Sequence, residues 1–349
     1  MTTDSTESST TENPTPADTT PADYEDRVLG CLLGVMAGDA YGVLVVAGDD
    51  PSAALTDPAA LAVSDATQLT LYTVDGLTEA LEWANDGVAA DETACLWLAY
   101  LRWLNRQGEH LPASAPAPPP RWLDRQEDLL PVHDADPETV TALLTGAMGT
   151  RSRPLNPLAS GPGALMRSAP FGLVPRIPAS MVERLTVDTA ALTHGSAAAR
   201  NTAALFSGVV RALAIEGVDL AGAVDAARGE EHRLAVGAHV GGSTDGSAVA
   251  GGPPDGGPTA AGTFEAALQA VLEGASAGSP REHLAAALAH AAAAGRPDAS
   301  PVIAASVAGA IVGALHGTQA LPPALLDAPG VPGVVRTLAR TLLAATTGA

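Results

Sequence analysis

The chain has 349 residues, 46% of them hydrophobic, and this even composition predicts one large domain over residues 24–349. All 18 basic residues are arginines, they form no cluster, and the formal net charge is −21, which excludes binding to a nucleic acid backbone as a function class. The lack of lysine beside abundant alanine, glycine and proline is typical of a GC-rich bacterial genome. We give this bias no functional weight.

The first 23 residues are rich in Thr, Ser, Pro, Asp and Glu and have neither a basic start nor an apolar run. They predict a disordered tail and neither a signal peptide nor a membrane anchor. Residues 28–48 are mostly apolar but are interrupted by Gly30, Gly34, Gly38 and Asp39, which favours a buried core helix over a membrane span. Cys31 and Cys95 lie far apart in apolar contexts, typical of reduced thiols in a cytoplasmic protein.

Apolar residues at helical spacing dominate the rest of the chain, and no alternating strand pattern is evident, so the sequence predicts an all-α bundle. Thr193 is a candidate cap for a helix over residues 194–211, and Pro301 a candidate start for a helix that ends at Gly317. Three long irregular connections are predicted, a Pro-rich one at 112–120, one punctuated by proline at 151–162, and a flexible Gly/Pro-rich loop at 240–262.

Four motifs follow one another along the chain. They are DRVLGCLLGVMAGDAYG at 26–42, SDATQLTL at 64–71, GPGALMRSAPFGL at 161–173 with ALTHG at 191–195, and PDASPVIAASVAGAIVGALHG at 297–317. Together, and in this order, they resemble the ADP-ribosylglycohydrolase family, the hydrolases similar to dinitrogenase-reductase-activating glycohydrolase. The resemblance implies an all-α fold with a central cleft, two magnesium ions in that cleft, and cleavage of N- or O-glycosidic bonds to ADP-ribose.

The first metal motif of the family, Ser/Thr-Asp-Asp-Thr-Gln, is incomplete here. Ser64 and Asp65 match it, but the second aspartate is replaced by Ala66, which has no donor atom. Magnesium requires oxygen ligands, and one carboxylate near a cation is worth on the order of 4 kcal/mol. We therefore expect magnesium to bind weakly or not at all.

The last metal motif of the family, Asp-x-Asp, is also altered. Asp298 matches its first aspartate and Ser300 stands at the second, whereas an alignment without a gap places Ser300 and Val302 at the two positions. At least one ligand is lost in either alignment. The glutamate that follows the Gly-Asp-Ala-x-Gly turn in the family is replaced here by Val46, so no catalytic residue is assigned with confidence.

The resemblance implies that the motifs at 161–173 and 191–195 line the ligand pocket. The candidate ligand-binding residues are Asp39, Gly161, Gly163, Met166, Arg167 and His194. Ordinary structural roles are open for several of them. Asp39 could satisfy a turn, Asp65 could cap a helix, Arg167 could brace its loop, and His194 could bond within the core.

We therefore expect a monomeric cytoplasmic pseudoenzyme that binds ADP-ribose, a related nucleotide or an ADP-ribosylated protein. One alternative is an active hydrolase with a reduced magnesium site built from Ser64, Asp65 and Asp298. A second alternative is a protein-interaction scaffold with no small ligand. No nucleic acid and no membrane partner is expected.

Overall fold

A computed structural model describes residues 23–129, 135–240, 256–293 and 295–347. All regular structure in these ranges is helical, so the all-α prediction is confirmed. Of the predicted tail, only Asp23 is among the described residues. Most of the predicted flexible loop also lies outside them. The end of that loop, residues 260–262, is helical.

Fourteen α-helices lie within the described part of the chain. They are α1 Tyr24–Ala47, α2 Ala53–Thr56, α3 Asp65–Asn85, α4 Glu92–Arg106, α5 Pro137–Leu144, α6 Ala169–Gly172, α7 Ala179–Ala190, α8 Ala197–Ala214, α9 Leu220–Val240, α10 Ala260–Gly274, α11 Pro280–Ala292, α12 Pro301–His316, α13 Pro323–Leu326 and α14 Val331–Thr347. Short 3-10 turns occupy Pro58–Ala60, Leu123–Arg125, Leu165–Arg167 and Gly317–Ala320.

The centre of the bundle is the antiparallel pair of α1 and α12. A Cβ atom on Gly34 would overlap the carbonyl group of Gly309, and one on Gly38 would overlap that of Ala305. Glycine therefore allows the two backbones to pack in direct contact. Tyr24–Ala47 and Pro301–Ala320 are long and apolar enough to cross a membrane by composition, but 72% and 67% of their apolar windows are buried inside the protein.

This packing also explains why α1 does not end at the Gly-Asp-Ala-x-Gly stretch, where the resemblance implies a turn. The helix continues through that motif to Ala47 and ends at Gly48, whose φ of 79° is left-handed. Gly42 lies against the backbone of Val302, so it serves helix packing and not a turn.

The predicted boundaries of α12 were confirmed, whereas the predicted start of the helix near Thr193 was wrong. Pro301 begins α12 and Gly317 ends it, as predicted. The predicted start at Thr193 was wrong, because the His194 amide still bonds back to Ala190 at the end of α7 and α8 begins only at Ala197. The connections at 112–120 and 151–162 are irregular, as predicted.

Candidate functional site

The amino terminus of α3 closes onto Asp39, a fully buried residue of α1. Asp39 accepts hydrogen bonds from the Ser64 amide at 2.9 Å and hydroxyl at 2.6 Å, and from the Thr67 amide at 3.0 Å and hydroxyl at 2.5 Å. Burial raises the pKa of Asp39, and the four hydrogen bonds oppose that rise. The carboxylate thus anchors α3 to α1 and points both hydroxyls of the motif toward itself.

Asp65, the first residue of α3, is directed to a different neighbour. Its Oδ2 accepts the backbone amide of Asp136 at 2.8 Å, which joins α3 to the start of α5. Burial raises the pKa of Asp65 to about 7, the Asp136 amide opposes the rise, and the charges of Asp136 and Asp39 add to it. Asp65 can therefore hold or release a proton near neutral pH.

The remaining residues of the two metal motifs have other surroundings and partners. Ala66 is fully buried in the apolar core. Asp298 is half exposed beside Arg296, with 3.3 Å between Oδ2 and Nη2, and this arginine lowers the pKa of Asp298. Ser300 caps α12 through the Ile303 amide. The carboxylates that act on Asp65 are Asp136 and Asp39, and Asp298 is paired elsewhere.

Val46 lies in the last turn of α1 with 64% of its surface exposed. A valine at this exposed position offers neither a hydrogen bond nor a charge to a ligand or to water.

Arg167, by contrast, is 1% exposed. Its guanidinium donates to the Gly163 carbonyl at 2.8 Å and to the Thr193 hydroxyl at 2.6 Å, and its carbon Cζ lies 4.6 Å from the centre of the Tyr100 ring. These contacts tie the 161–167 loop to the end of α7 and to α4. The guanidinium thus makes its contacts within the protein.

The glycines of the same loop make room for two carboxylates at the start of α5. The Gly161 amide donates to Glu138 Oε2 at 2.9 Å, and a Cβ at Gly161 would lie 2.5 Å from that oxygen. A Cβ at Gly163 would overlap the Asp136 carboxylate. Met166 is buried, and its carbonyl accepts the Thr70 hydroxyl.

His194 is fully buried beside the same carboxylates. Its Nδ1 lies 2.8 Å from the Thr193 hydroxyl, and its Nε2 lies 3.1 Å from Glu138 Oε2 and 3.6 Å from Asp136 Oδ2. Asp136 and Glu138 were missed in the sequence because no motif contains them. Their only signal is Asp-Pro-Glu at 136–138, which predicts a capped helix start and no ligand.

Comparisons with known proteins identify the family and the fold. The sequence profile described as ADP-ribosylglycohydrolase matches residues 20–349. The chain belongs to the ADP-ribosylglycohydrolase family. A solved structure titled "ADP-ribosylglycohydrolase-related protein complex" is 22% identical in sequence to this chain. The alignment covers 93% of this chain and 99% of the solved chain, and the TM-score of 0.57 shows the shared fold. No curated protein matches the sequence.

The two-magnesium site implied by the ADP-ribosylglycohydrolase family does not fit the residues present. The Ser64 hydroxyl is bonded to Asp39, position 66 is an apolar alanine, and Asp298 is paired with Arg296. Among the described residues, the three side chains whose metal-ligating atoms lie within 4.8 Å of one another are Asp136, Glu138 and His194. The family's metal motifs are thus replaced here by hydrogen bonds and apolar packing.

Proposed function

We propose that this chain is a catalytically degenerate ADP-ribosylglycohydrolase that binds ADP-ribose, a related nucleotide or an ADP-ribosylated protein without cleaving it. The observation that carries the proposal is the closure of Ser64 and Thr67 onto Asp39 beside the buried Ala66. A metal ion at α3 would have to break these hydrogen bonds and would still lack a carboxylate at position 66.

Loss of the metal removes the chemistry that the family needs. Glycosidic cleavage requires stabilisation of a positively charged sugar and a positioned water, tasks that fall to metal ions and carboxylates. Val46 and Ala66 supply neither. We therefore expect the ligand to stay intact.

The acidity of the site bears on the ligand affinity. Asp65, Asp136 and Glu138 lie together, and Arg167 is engaged by Gly163 and Thr193. A diphosphate placed near these carboxylates is repelled. We expect magnesium-independent binding of ADP-ribose that is weaker than a metal-assisted site would give.

One observation favours a second candidate, an active hydrolase that uses Asp65. Its buried carboxyl, with a pKa of about 7, has the protonation behaviour of a general acid in glycoside hydrolysis. If this candidate is correct, the wild-type protein releases ADP-ribose from an ADP-ribosylated substrate and Asp65→Asn does not.

Calorimetric titration with ADP-ribose, with and without millimolar magnesium, tests the first proposal. Binding that is the same in both conditions supports the degenerate binding protein. Binding that requires magnesium would contradict it and restore the enzyme interpretation. No binding in either condition would contradict it in favour of the scaffold alternative.

The Ala66→Asp variant is compared with the wild-type protein in the same titration, because it returns the missing carboxylate to the motif. We expect magnesium sensitivity to stay absent in Ala66→Asp, because Ser64 and Thr67 remain bonded to Asp39. Release of ADP-ribose from an ADP-ribosylated substrate by the wild-type protein would overturn the proposal.

A further inference from the structure

Three side chains converge at a point that none of the four sequence motifs defines as a metal site. Asp136 caps the start of α5, Glu138 lies in its first turn, and His194 follows α7. Their metal-ligating atoms all lie within 4.8 Å of one another. Two carboxylates and one imidazole from two separate segments thus face a common volume.

The imidazole carries the observation that points to a ligand. His194 is fully buried, yet its Nε2 has no hydrogen-bond partner in the described structure although Glu138 Oε2 is 3.1 Å away. The carboxylate therefore lies off the direction in which the ring nitrogen donates or accepts. A buried polar atom without a partner costs about 1–3 kcal/mol, so an interaction that is not a protein hydrogen bond is expected there.

A metal ion explains this geometry. Around one ion each lone pair points to the metal and not to the neighbouring ligand, so adjacent ligand atoms are close without being hydrogen-bonded. With bonds of about 2.0–2.1 Å, neighbouring ligand atoms lie about 2.9–3.4 Å apart in octahedral or tetrahedral geometry. The distances of 3.1 Å and 3.6 Å from Nε2 to the two carboxylates are close to this range.

Outer contacts hold each side chain in place. The Gly161 amide donates to Glu138, and the Thr139 amide donates to Asp136 at 2.8 Å. The Thr193 hydroxyl lies 2.8 Å from His194 Nδ1, so an Nδ1 proton donated to it leaves the Nε2 lone pair free. Such a partner on the far ring nitrogen is the usual way in which a ligating histidine is oriented.

The site is also open on one side. The Asp136 and Glu138 side chains are 13% and 28% exposed, whereas the imidazole is fully buried. An ion can therefore enter from solvent past the carboxylates and meet the imidazole beneath them.

We propose that Asp136, Glu138 and His194 form a binding site for a divalent first-row transition metal ion such as Zn²⁺, separate from the family's magnesium motifs. An imidazole donor favours such ions, whereas Mg²⁺ prefers oxygen ligands alone. The rival interpretation is a protonated His194 that forms an ion pair with Glu138 and binds no metal.

The experiment is a titration of the tag-free protein with Zn²⁺, followed by calorimetry, and with Co²⁺, followed by its visible absorption bands. Glu138→Gln and Asp136→Asn keep oxygen acceptors for the Gly161 and Thr139 amides, so both variants are expected to fold. His290→Gln is the matched control, because His290 pairs with Glu273 on the protein surface.

We expect one Zn²⁺ per chain, an affinity that falls by more than about 10-fold in Glu138→Gln and in Asp136→Asn, and no change in His290→Gln. Mg²⁺ at the same concentration should produce no signal. Failure of the wild-type protein to bind Zn²⁺, or equal affinity in the wild-type protein and both carboxylate variants, would overturn the proposal.

Discussion

Arg167 shows how a residue of a ligand-binding motif can be used within the protein. Its guanidinium bonds to Gly163 and Thr193 and stacks on Tyr100, three contacts that hold one loop against two helices. The same side chain in an exposed loop would be available to a phosphate. Its burial and these contacts favour a structural role for Arg167.

We predict that Arg167→Met lowers the free energy of unfolding by about 2–5 kcal/mol, because it leaves buried hydrogen-bond partners unsatisfied and removes the contact with the Tyr100 ring. Urea denaturation measures this change. Arg296→Gln, which removes an exposed ion pair with Asp298, should cost less than about 1 kcal/mol. Equal effects of the two substitutions would contradict the structural role.

A pair of histidines gives the fold a dependence on pH. His283 Nε2 lies 2.8 Å from the Val271 carbonyl and His283 Nδ1 lies 3.0 Å from His316 Nε2, so both rings are neutral when His316 donates to His283. Burial lowers the pKa of His316 to about 4, and the nearby Arg27 charge adds to this effect; burial also lowers the pKa of His283.

In the unfolded chain these histidines bind protons near pH 6.5, whereas in the folded chain they stay neutral to lower pH. Their contribution to the free energy of unfolding is therefore fully present above pH 6.5 and is lost as the pH drops toward 4. Solvent access to the half-buried His316 ring reduces the loss to about 1–2 kcal/mol. We predict that His316→Asn shows a smaller loss between pH 6.5 and 4 than the wild-type protein in urea denaturation. Parallel pH profiles for the two proteins would contradict this assignment.

At the residue scale, the sequence predicted some partners and could not predict others. His194 was a pocket candidate because a motif contains it. Asp136 and Glu138 were not, because they reach it only through the fold, from a segment more than 50 positions away. Side-chain convergence of this kind has no local pattern that a sequence could display.

At the scale of helices, the contact between α1 and α12 depends on glycine at several turns. Gly30, Gly34 and Gly38 of α1 each face the backbone of α12 or of the turn that follows it. An added methyl group at such a point meets backbone atoms, which cannot move aside as a flexible side chain does. Each glycine here reflects the close approach of two helices.

We predict that Gly34→Ala lowers the free energy of unfolding by about 3 kcal/mol or more, through overpacking against Gly309. The matched control is Gly208→Ala in α8, where the added methyl group has open space and alanine is the better helix former. That variant should be more stable by up to about 1 kcal/mol. Thermal and urea unfolding of the two variants test the contrast.

The boundaries of helices were predictable only where a local signal decides them. Pro301 and Gly317 bound α12 through proline geometry and a left-handed φ of 63°. The Gly-Asp-Ala-x-Gly turn of the family is helical here, within α1, which its glycines do not reveal in the sequence. Their role depends on α12, about 270 residues away along the chain.

At the scale of the molecule, the helical class followed from apolar periodicity, and the topology followed from the family motifs. Periodicity alone could not pair α1 with α12, since any apolar face can in principle pack on another. The monomer stays a prediction, and the net charge of −21 on each copy favours it through mutual repulsion.

We predict a mass of about 35 kDa by light scattering after size-exclusion chromatography, from the chain mass of 34.8 kDa, at both low and moderate salt. The large apolar side chains that are exposed in the described chain are Val46, Trp83, Val88, Trp122, Leu158, Val218 and Leu234. A doubled mass would contradict the prediction.

The pairing of α1 with α12 also sets the order in which the chain can mature during synthesis. The first helix emerges from the ribosome as a 24-residue apolar segment, and its partner follows only after roughly 250 more residues have been made. At about 5–20 residues per second, that delay is on the order of 10–50 seconds. Nascent chains of this protein therefore expose the apolar helix α1 for many seconds, a period in which shielding of apolar segments at the ribosome would limit aggregation.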